Sequence, residues 1–231
     1  MATRRNGDTA QRILDVAEEL VQMRGFNAFS YADVAAQLKM TKAGLHYHYP
    51  GKAELGEALI TRYSERFSGA LAGIDEQPVA AAAKLDAYVN LYAEVLRAGR
   101  MCLCGMLASE YQTLPGGLQE AILLFFDENE AWLARVLKQG RADGSLRFAG
   151  SPGDTAGMII SGLEGAMLVA RPYGDLKRFK KSASALIATV AVSQAGAADA
   201  DGAAAAKGAA ARGGASASAA APPRARARGP R

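Results

Sequence analysis

Apolar residues at helical spacing recur along the chain from residue 9 to about residue 194, and this periodicity constrains the fold more than any other feature. The helical segments are separated by Gly, Pro and Asp-Gly positions, and none of them alternates as a strand does. The first helix is expected to begin at an N-cap at Asp8 or Thr9 and to end at Gly25. The pattern therefore predicts an all-α protein, preceded by a disordered arm at residues 1–8.

Two short helices are predicted after Gly25. Ser30 is followed three residues later by Asp33, a spacing that resembles a capping box and predicts a helix over residues 31–38. Thr41 is expected to cap a third helix, which cannot continue through Pro50 because proline lacks the backbone N–H. Two short helices joined by a tight turn are typical of the helix-turn-helix, in which the second helix lies in the major groove of DNA.

Seven residues on and beside the third helix are candidates for contact with double-stranded DNA. They are Thr41, Lys42, Gly44, His46, Tyr47, His48 and Lys52. The free N–H groups at the start of a helix bind phosphate, and a lysine adds positive charge. Tyrosine and histidine side chains donate to phosphates or to base edges. Lys52 opens a long fourth helix, where it is expected to hold a phosphate.

Several blocks within residues 9–55 occur in an order and spacing that resemble a known family. The blocks are Gly25-Phe26, Phe29-Ser30, Asp33-Val34-Ala35 and the run T-K-A-G-L-H-Y-H-Y-P-G-K from Thr41 to Lys52. They resemble the N-terminal domain of TetR/AcrR transcriptional regulators, although that family usually has Tyr at position 46 and often Phe at position 49. The resemblance implies a three-helix DNA-binding domain at 9–55 and a C-terminal helical ligand-binding and dimerisation domain at 56–194.

Five further helices are expected over residues 79–98, 101–113, 116–140, 152–171 and 176–193. The start of the fourth of these is the best defined boundary. Ser151 supplies an N-cap, Pro152 occupies the first helical position, and Asp154 adds an acidic side chain to the first turn.

The last two helices carry apolar residues at alternating spacings of three and four, as helix-packing seams do. The seam residues are Ile160, Leu163, Met167 and Ala170 in one helix and Leu176, Phe179, Ala183, Leu186 and Val190 in the other. Gly157, Ser161 and Gly165 add a row of small residues that permits close approach. In the TetR/AcrR family the last two helices pair with a second subunit, which implies a homodimer. Packing within a single chain is the alternative for these seams.

A small-molecule site is expected between the DNA-binding helices and the dimer helices. Its candidate residues are Tyr92, Cys102, Met106, Glu110, Phe125 and Trp132. Aromatic and methionine side chains suit a small, mostly apolar ligand, and Glu110 would orient it.

Cys102 has two interpretations. The run M-C-L-C-G-M-L-A-S-E from Met101 to Glu110 resembles the sixth helix of a TetR subgroup that includes electrophile-responsive regulators. A thiol in the first turn of a helix, near Arg97 and Arg100, is favoured toward the reactive thiolate. The alternative is an inert cysteine buried in the core.

The sequence offers no catalytic residues and no cofactor site. It contains no carboxylate pair, Ser-His-Asp set or Gly-rich phosphate loop, so an enzyme is not expected. His46 and His48 are two residues apart and point in different directions on a helix, so no metal site is expected. No secretory signal or membrane span is apparent, and the two closely spaced cysteines fit a reducing compartment, so the expected location is the cytoplasm.

The formal net charge is +4, and the basic excess lies in an Ala/Gly/Pro-rich tail at 195–231 that is expected to be disordered. The predicted function is a repressor that a mostly apolar or electrophilic inducer releases from a palindromic operator. A transcriptional activator or a ligand-independent DNA-organising protein is the first alternative, which the basic tail suggests. An enzyme on a helical bundle is the second alternative.

Overall fold

The computed structural model describes residues 2–192, with side chains from residue 7 onward. Over this range the chain forms nine α-helices and two short 3-10 turns at Tyr111–Thr113 and Arg171–Tyr173. The helices are α1 (Ala2–Arg24), α2 (Tyr31–Leu38), α3 (Lys42–His48), α4 (Lys52–Asp75), α5 (Ala81–Arg97), α6 (Leu103–Ser109), α7 (Gly116–Ala142), α8 (Pro152–Ala170) and α9 (Leu176–Ala188). The predicted all-α fold is confirmed, and the tail at 195–231 lies outside the described residues.

The first helix begins earlier than predicted. α1 starts at Ala2, so its first turns replace the disordered arm expected at residues 1–8. The N-cap preference of Asp or Thr is worth only about 1 kcal/mol, and Arg4 and Arg5 are good helix formers, so no local signal ends the helix at Thr9. At the other end Gly25 adopts a φ of 94° and donates its N–H to the Val21 carbonyl at 2.9 Å, as expected for a helix terminus.

The two short helices and their caps are confirmed. The Asp33 carboxylate accepts hydrogen bonds from the N–H of Ser30 at 2.7 Å and from its hydroxyl at 2.6 Å. These bonds lower the pKa of the Asp33 carboxyl. The Thr41 hydroxyl accepts from the N–H of Gly44 at 3.1 Å. Between the helices, Lys39 takes a left-handed conformation with a φ of 53°, which turns the chain sharply.

Two later boundaries differ from the prediction. α6 covers only part of the helix expected at 101–113, because Glu110 leaves the helical region with φ −109° and ψ 10°. α9 ends five residues before the expected 193, because the chain after it forms backbone hydrogen bonds with the segment that follows α7. The Val190 carbonyl accepts from Arg147 at 2.8 Å, next to an isolated antiparallel bridge between Leu146 and Ala191.

The apolar seams of α8 and α9 pack within one chain. Leu163, Met167, Phe179 and Ala183 are fully buried in it. The intrachain alternative is therefore correct for these seams. A different part of α8, which carries Met158, Leu168 and Val169, stays exposed.

The N-terminal helices position the DNA-binding candidates. Leu45 on α3 and Val34 on α2 are fully buried together with Ile13 and Leu20 of α1. We use the term reading head for residues 26–52, which comprise α2, α3 and their flanking turns. α4 begins at the end of the reading head and packs against α5 and α7. It therefore links two halves of the described chain, helices α1–α3 and helices α5–α9.

Candidate DNA-binding surface and sensing core

The buried Leu45 decides which side of α3 faces outward. Its side chain is fully buried, so the opposite side of this short helix lies in solvent. Tyr47, two residues further on, points away from Leu45 and is 74% exposed, and Thr41 and Lys42 are exposed at the N-terminal end of the helix. A large aromatic side chain held in solvent beside a lysine and a helix N-terminus has the chemistry for contact with DNA bases and phosphates.

His46 has a partner within the reading head. Its Nδ1 lies 2.9 Å from the Pro50 carbonyl, and its ring packs on Tyr31 with centroids 4.7 Å apart. The Tyr31 hydroxyl donates to the carbonyls of Tyr49 at 2.9 Å and Gly51 at 2.5 Å. Burial, together with the charge of Glu54, raises the pKa of Tyr31 to about 12. These contacts fix the C-terminal end of α3.

Gly44 and His48 lie beside the exposed side of α3. A Cβ at Gly44 would lie 3.3 Å from both the Met40 and the Thr41 side chains, so a larger residue would crowd the helix start. His48 is half-buried, and its ring contacts Tyr47 edge to face with centroids 5.3 Å apart. His48 therefore supports Tyr47 in its outward position.

Lys52 is half-buried at the start of α4. Its ammonium donates to the Phe29 carbonyl at 2.6 Å and lies over the rings of Phe26 and Phe29, at 4.8 and 4.4 Å from their centroids. Burial lowers the pKa of Lys52. An ammonium has three donors, and Lys52 uses one of them to fasten the start of α4 to the turn at Phe26 and Phe29.

Glu110, a candidate for ligand contact, lies at the boundary between the two halves. Its carboxylate accepts hydrogen bonds from the backbone N–H groups of Phe26 at 2.6 Å and Asn27 at 3.1 Å. The carboxylate also lies where a Cβ on Gly25 would be, so Gly25 is required for this approach. Asn27 adds a side-chain bond to Thr113 at 2.7 Å. The chain after α6 thus holds the turn that begins the reading head.

Two further hydrogen bonds join α1 to the chain behind it. The N–H of Met101 donates to the Gln22 carbonyl at 3.3 Å. Arg171, at the end of α8, donates to the Met23 carbonyl. The same guanidinium donates to the sulfur of Met106 at 3.4 Å, so this ligand candidate lies at the boundary as well.

Glu18 of α1 forms an ionic link to α4. Its buried carboxylate accepts from Arg62 at 2.9 Å and from Arg66 at 2.5 Å. Arg62 also reaches Asp15 at 2.7 Å. Two guanidinium groups on successive turns of α4 therefore hold α1 against that helix.

Tyr92, Phe125 and Trp132 come together in a buried aromatic cluster, which we call the sensing core. Phe67 contacts Tyr92 and Phe125 with centroids 6.3 and 5.2 Å apart, and Trp132 stacks on Tyr88 at 5.5 Å. The hydroxyls of Tyr88 and Tyr92 lie 3.1 Å apart. Burial raises the pKa of Tyr88 and Tyr92 far enough that both phenols stay neutral.

Cys102 does not have the environment expected of a thiolate. It is 2% exposed, and the Tyr63 hydroxyl lies 3.8 Å from its sulfur. Burial and the nearby Glu164 charge raise the pKa of Cys102 well above its ordinary value. Of the two interpretations of Cys102, the structure therefore supports the buried, inert cysteine, because desolvation and a carboxylate outweigh a helix terminus and nearby arginines.

Glu164 and Tyr31 were not among the sequence-predicted site residues. Glu164 had a visible signal, because it is the one charged residue in the apolar run of α8 from Met158 to Ala170. Tyr31 had none, because its partners Tyr49 and Gly51 follow it by 18 and 20 residues. Within residues 2–192 no helix is long and apolar enough to cross a membrane.

The reading head and the helical domain behind it both match a known family. The profile described as "Bacterial regulatory proteins, tetR family" matches residues 13–59, and that described as "Tetracyclin repressor-like, C-terminal domain" matches residues 81–186. The chain belongs to the TetR family. It is a transcriptional regulator with an N-terminal helix-turn-helix DNA-binding domain and a C-terminal ligand-binding domain, and dimers and repressors are typical of this family.

Individual relatives agree with this assignment. A TetR-family regulator from Agrobacterium tumefaciens is 28% identical, and the match covers 81% of this chain and all of that one with a TM-score of 0.78. A TetR regulator from Legionella pneumophila is 33% identical over 78% of this chain and 95% of that one, with a TM-score of 0.66. The transcriptional regulator AcuR of Cereibacter sphaeroides is 25% identical over 166 residues, covering 70% of this chain and 75% of AcuR.

Proposed function

We propose that a homodimer of this chain represses transcription by binding a palindromic operator and that a small-molecule inducer releases it. The observation that carries the DNA-binding part is the exposed side of α3, where Thr41, Lys42 and Tyr47 lie in solvent while Leu45 and Tyr31 anchor the helix. A helix held rigidly with an exposed polar side suits insertion into the major groove.

The exposed apolar surface of α8 supports a dimer. Leu168 is 62% exposed, Val169 is 57% exposed and Met158 is 45% exposed. Gly165 lies among them with no other atom within 4 Å of its Cβ position, so a second helix has space to approach closely. Pairing of this surface about a two-fold axis would place two reading heads on one face of DNA.

Induction requires a link between the sensing core and the reading head, and α6 supports one. Cys102 at its start contacts Glu164 of α8, and Glu110 at its end holds the N–H groups of Phe26 and Asn27. A ligand that moves α6 would change how the reading head is held. The ligand must bind the two positions of α6 with different affinities, because only that difference shifts the equilibrium.

Selection of duplexes from a random pool tests the proposal with the full-length protein. We expect enrichment of one palindromic sequence whose half-sites are one helical turn, or a multiple of it, apart. Leu168→Glu should yield a monomer in sedimentation experiments and bind this duplex far more weakly, while Leu123→Glu on the exposed surface of α7 serves as a matched control. Enrichment of a single asymmetric site, or no enrichment, would contradict the proposal.

A further inference from the structure

Glu164 is a half-buried residue of α8 whose carboxylate lacks a cationic partner among the described residues. Its Oε1 is closed to solvent and accepts no hydrogen bond, and no salt bridge in the described chain includes it. The thiol of Cys102 is a weak donor, and Gly105 leaves space for the carboxylate against α6. Removing a carboxylate from water without a counter-charge is unfavourable, so this arrangement weakens the fold unless something pairs with the charge.

The groups that face Glu164 are aromatic or neutral. From α5, Tyr88 and Tyr92 lie near enough that the carboxylate charge raises the pKa of both phenols. From α6, Cys102 and Cys104 are buried thiols whose pKa values are raised by burial and by the same carboxylate. Neutral phenols and thiols near one carboxylate form an environment that attracts a cation and repels an anion.

Two surface grooves lie between α4 and α7, beside the sensing core. A groove of about 300 Å³ is lined by Phe125, and a neighbouring groove of about 350 Å³ is lined by Trp132. Glu128 lines both grooves. Phe125 and Trp132 belong to the sensing core, so the grooves reach two of its aromatic rings from the side of α4 and α7.

We propose that Glu164 and the tyrosines of α5 form the binding site for a small organic cation, an ammonium group carried on an apolar or aromatic body. The ammonium supplies the positive charge that the Glu164 carboxylate lacks, and the rings of Tyr88 and Tyr92 contact the apolar body of the ligand. This inference rests on the proposed function, since it names the chemical class of the inducer. It places the inducer's charge beside Cys102, at the start of the helix whose other end holds the reading head.

Titration calorimetry on the full-length protein without DNA tests the site. The probes are benzylamine, benzyl alcohol and benzoate, which share a ring and differ in charge. We expect wild type to bind benzylamine most tightly. Glu164→Gln should weaken benzylamine binding at least about tenfold, as loss of one partner of a buried charge pair does, and leave benzyl alcohol unchanged. Glu130→Gln on the exposed surface of α7 is the matched control and should bind all three probes as wild type does.

A pH series on wild type repeats the test without any variant. Benzylamine affinity should fall as the pH is lowered and Glu164 is protonated, and benzyl alcohol affinity should stay constant, because Tyr88, Tyr92, Cys102 and Cys104 remain neutral throughout. A flat benzylamine profile, equal binding by wild type and Glu164→Gln, tighter binding of benzoate, or no benzylamine binding by wild type would overturn the assignment. Failure of operator selection with intact benzylamine binding would instead overturn the proposed function alone.

Discussion

The reading head and the sensing core differ in whether their polar groups are hydrogen-bonded. In the reading head Asp33, Thr41 and Tyr31 each bond nearby backbone groups, and the exposed side of α3 carries the remaining polar side chains into solvent. Beside the sensing core, Glu164 is half-buried and its Oε1 accepts no hydrogen bond, and the neighbouring Cys102 is a buried neutral thiol. The reading head therefore has a shape fixed by hydrogen bonds, whereas the region of the sensing core contains a carboxylate without a cationic partner.

This difference indicates a separate role for each region. A rigid reading head keeps its shape whether or not DNA is present, so its affinity depends on where it is held. In the proposed function, the ligand supplies the partner that the Glu164 charge lacks. The contacts of Glu110 with Phe26 and Asn27 join the two regions, so they would carry a change in one to the position of the other.

The largest expected effect is at that junction. Glu110→Ala leaves the backbone N–H groups of Phe26 and Asn27 without their acceptor, which should lower the free energy of unfolding by about 1–3 kcal/mol. Operator affinity should fall as well, because the reading head is held less firmly. Glu110→Gln keeps one acceptor oxygen and should recover most of both losses. Thermal melts and operator titrations of the two variants measure this, and equal stability of Glu110→Ala and wild type would show that the junction does not matter.

A change of opposite sign is expected in the sensing core. Burial raises the pKa of Glu164 above its ordinary value, so the folded state favours the protonated carboxyl. That contribution is present at low pH and is lost as the pH rises through the raised pKa, so at neutral pH the ionised carboxylate weakens the fold.

Glu164→Gln should therefore stabilise the protein at neutral pH, by on the order of 1 kcal/mol for each unit by which the pKa is raised. The gain should shrink as the pH falls toward the ordinary range of a glutamate. Urea unfolding at several pH values measures it. A variant that is less stable than wild type at neutral pH would mean that the carboxylate has a stabilising partner.

The smallest effect on stability is expected on the exposed side of α3. Lys42→Ala should change the free energy of unfolding by less than about 0.5 kcal/mol, because the side chain is exposed. It should nevertheless reduce the slope of the logarithm of operator affinity against the logarithm of salt concentration, by about one for each reading head. Lys52→Ala should reduce both the free energy of unfolding and the salt slope, since Lys52 also bonds Phe29. Exposed Lys138 of α7 is the control site, and an unchanged slope for Lys42→Ala would remove that residue from the interface.

Local chemistry made the reading head predictable from sequence. The capping bonds of Ser30 with Asp33 and of Thr41 with Gly44 join residues three apart, so spacing alone revealed them. Glu110 is 84 residues from Phe26, and no local pattern reveals such a contact. For Cys102 a local rule pointed in the wrong direction, because helix position is visible in a sequence and burial beside Glu164 is not. Predictions therefore failed where long-range contacts decide the environment.

The most direct test of the central claim is the specificity of a Tyr47→Ala variant, because that claim is that the exposed side of α3 reads the operator. Affinities for the selected palindrome and for a shuffled duplex are measured in parallel, with Tyr173→Ala, another exposed tyrosine, as the control. Tyr47→Ala should lower the ratio of the two affinities by about tenfold, as loss of a base contact does, and leave binding of the shuffled duplex nearly unchanged. A ratio equal to that of wild type would contradict the account.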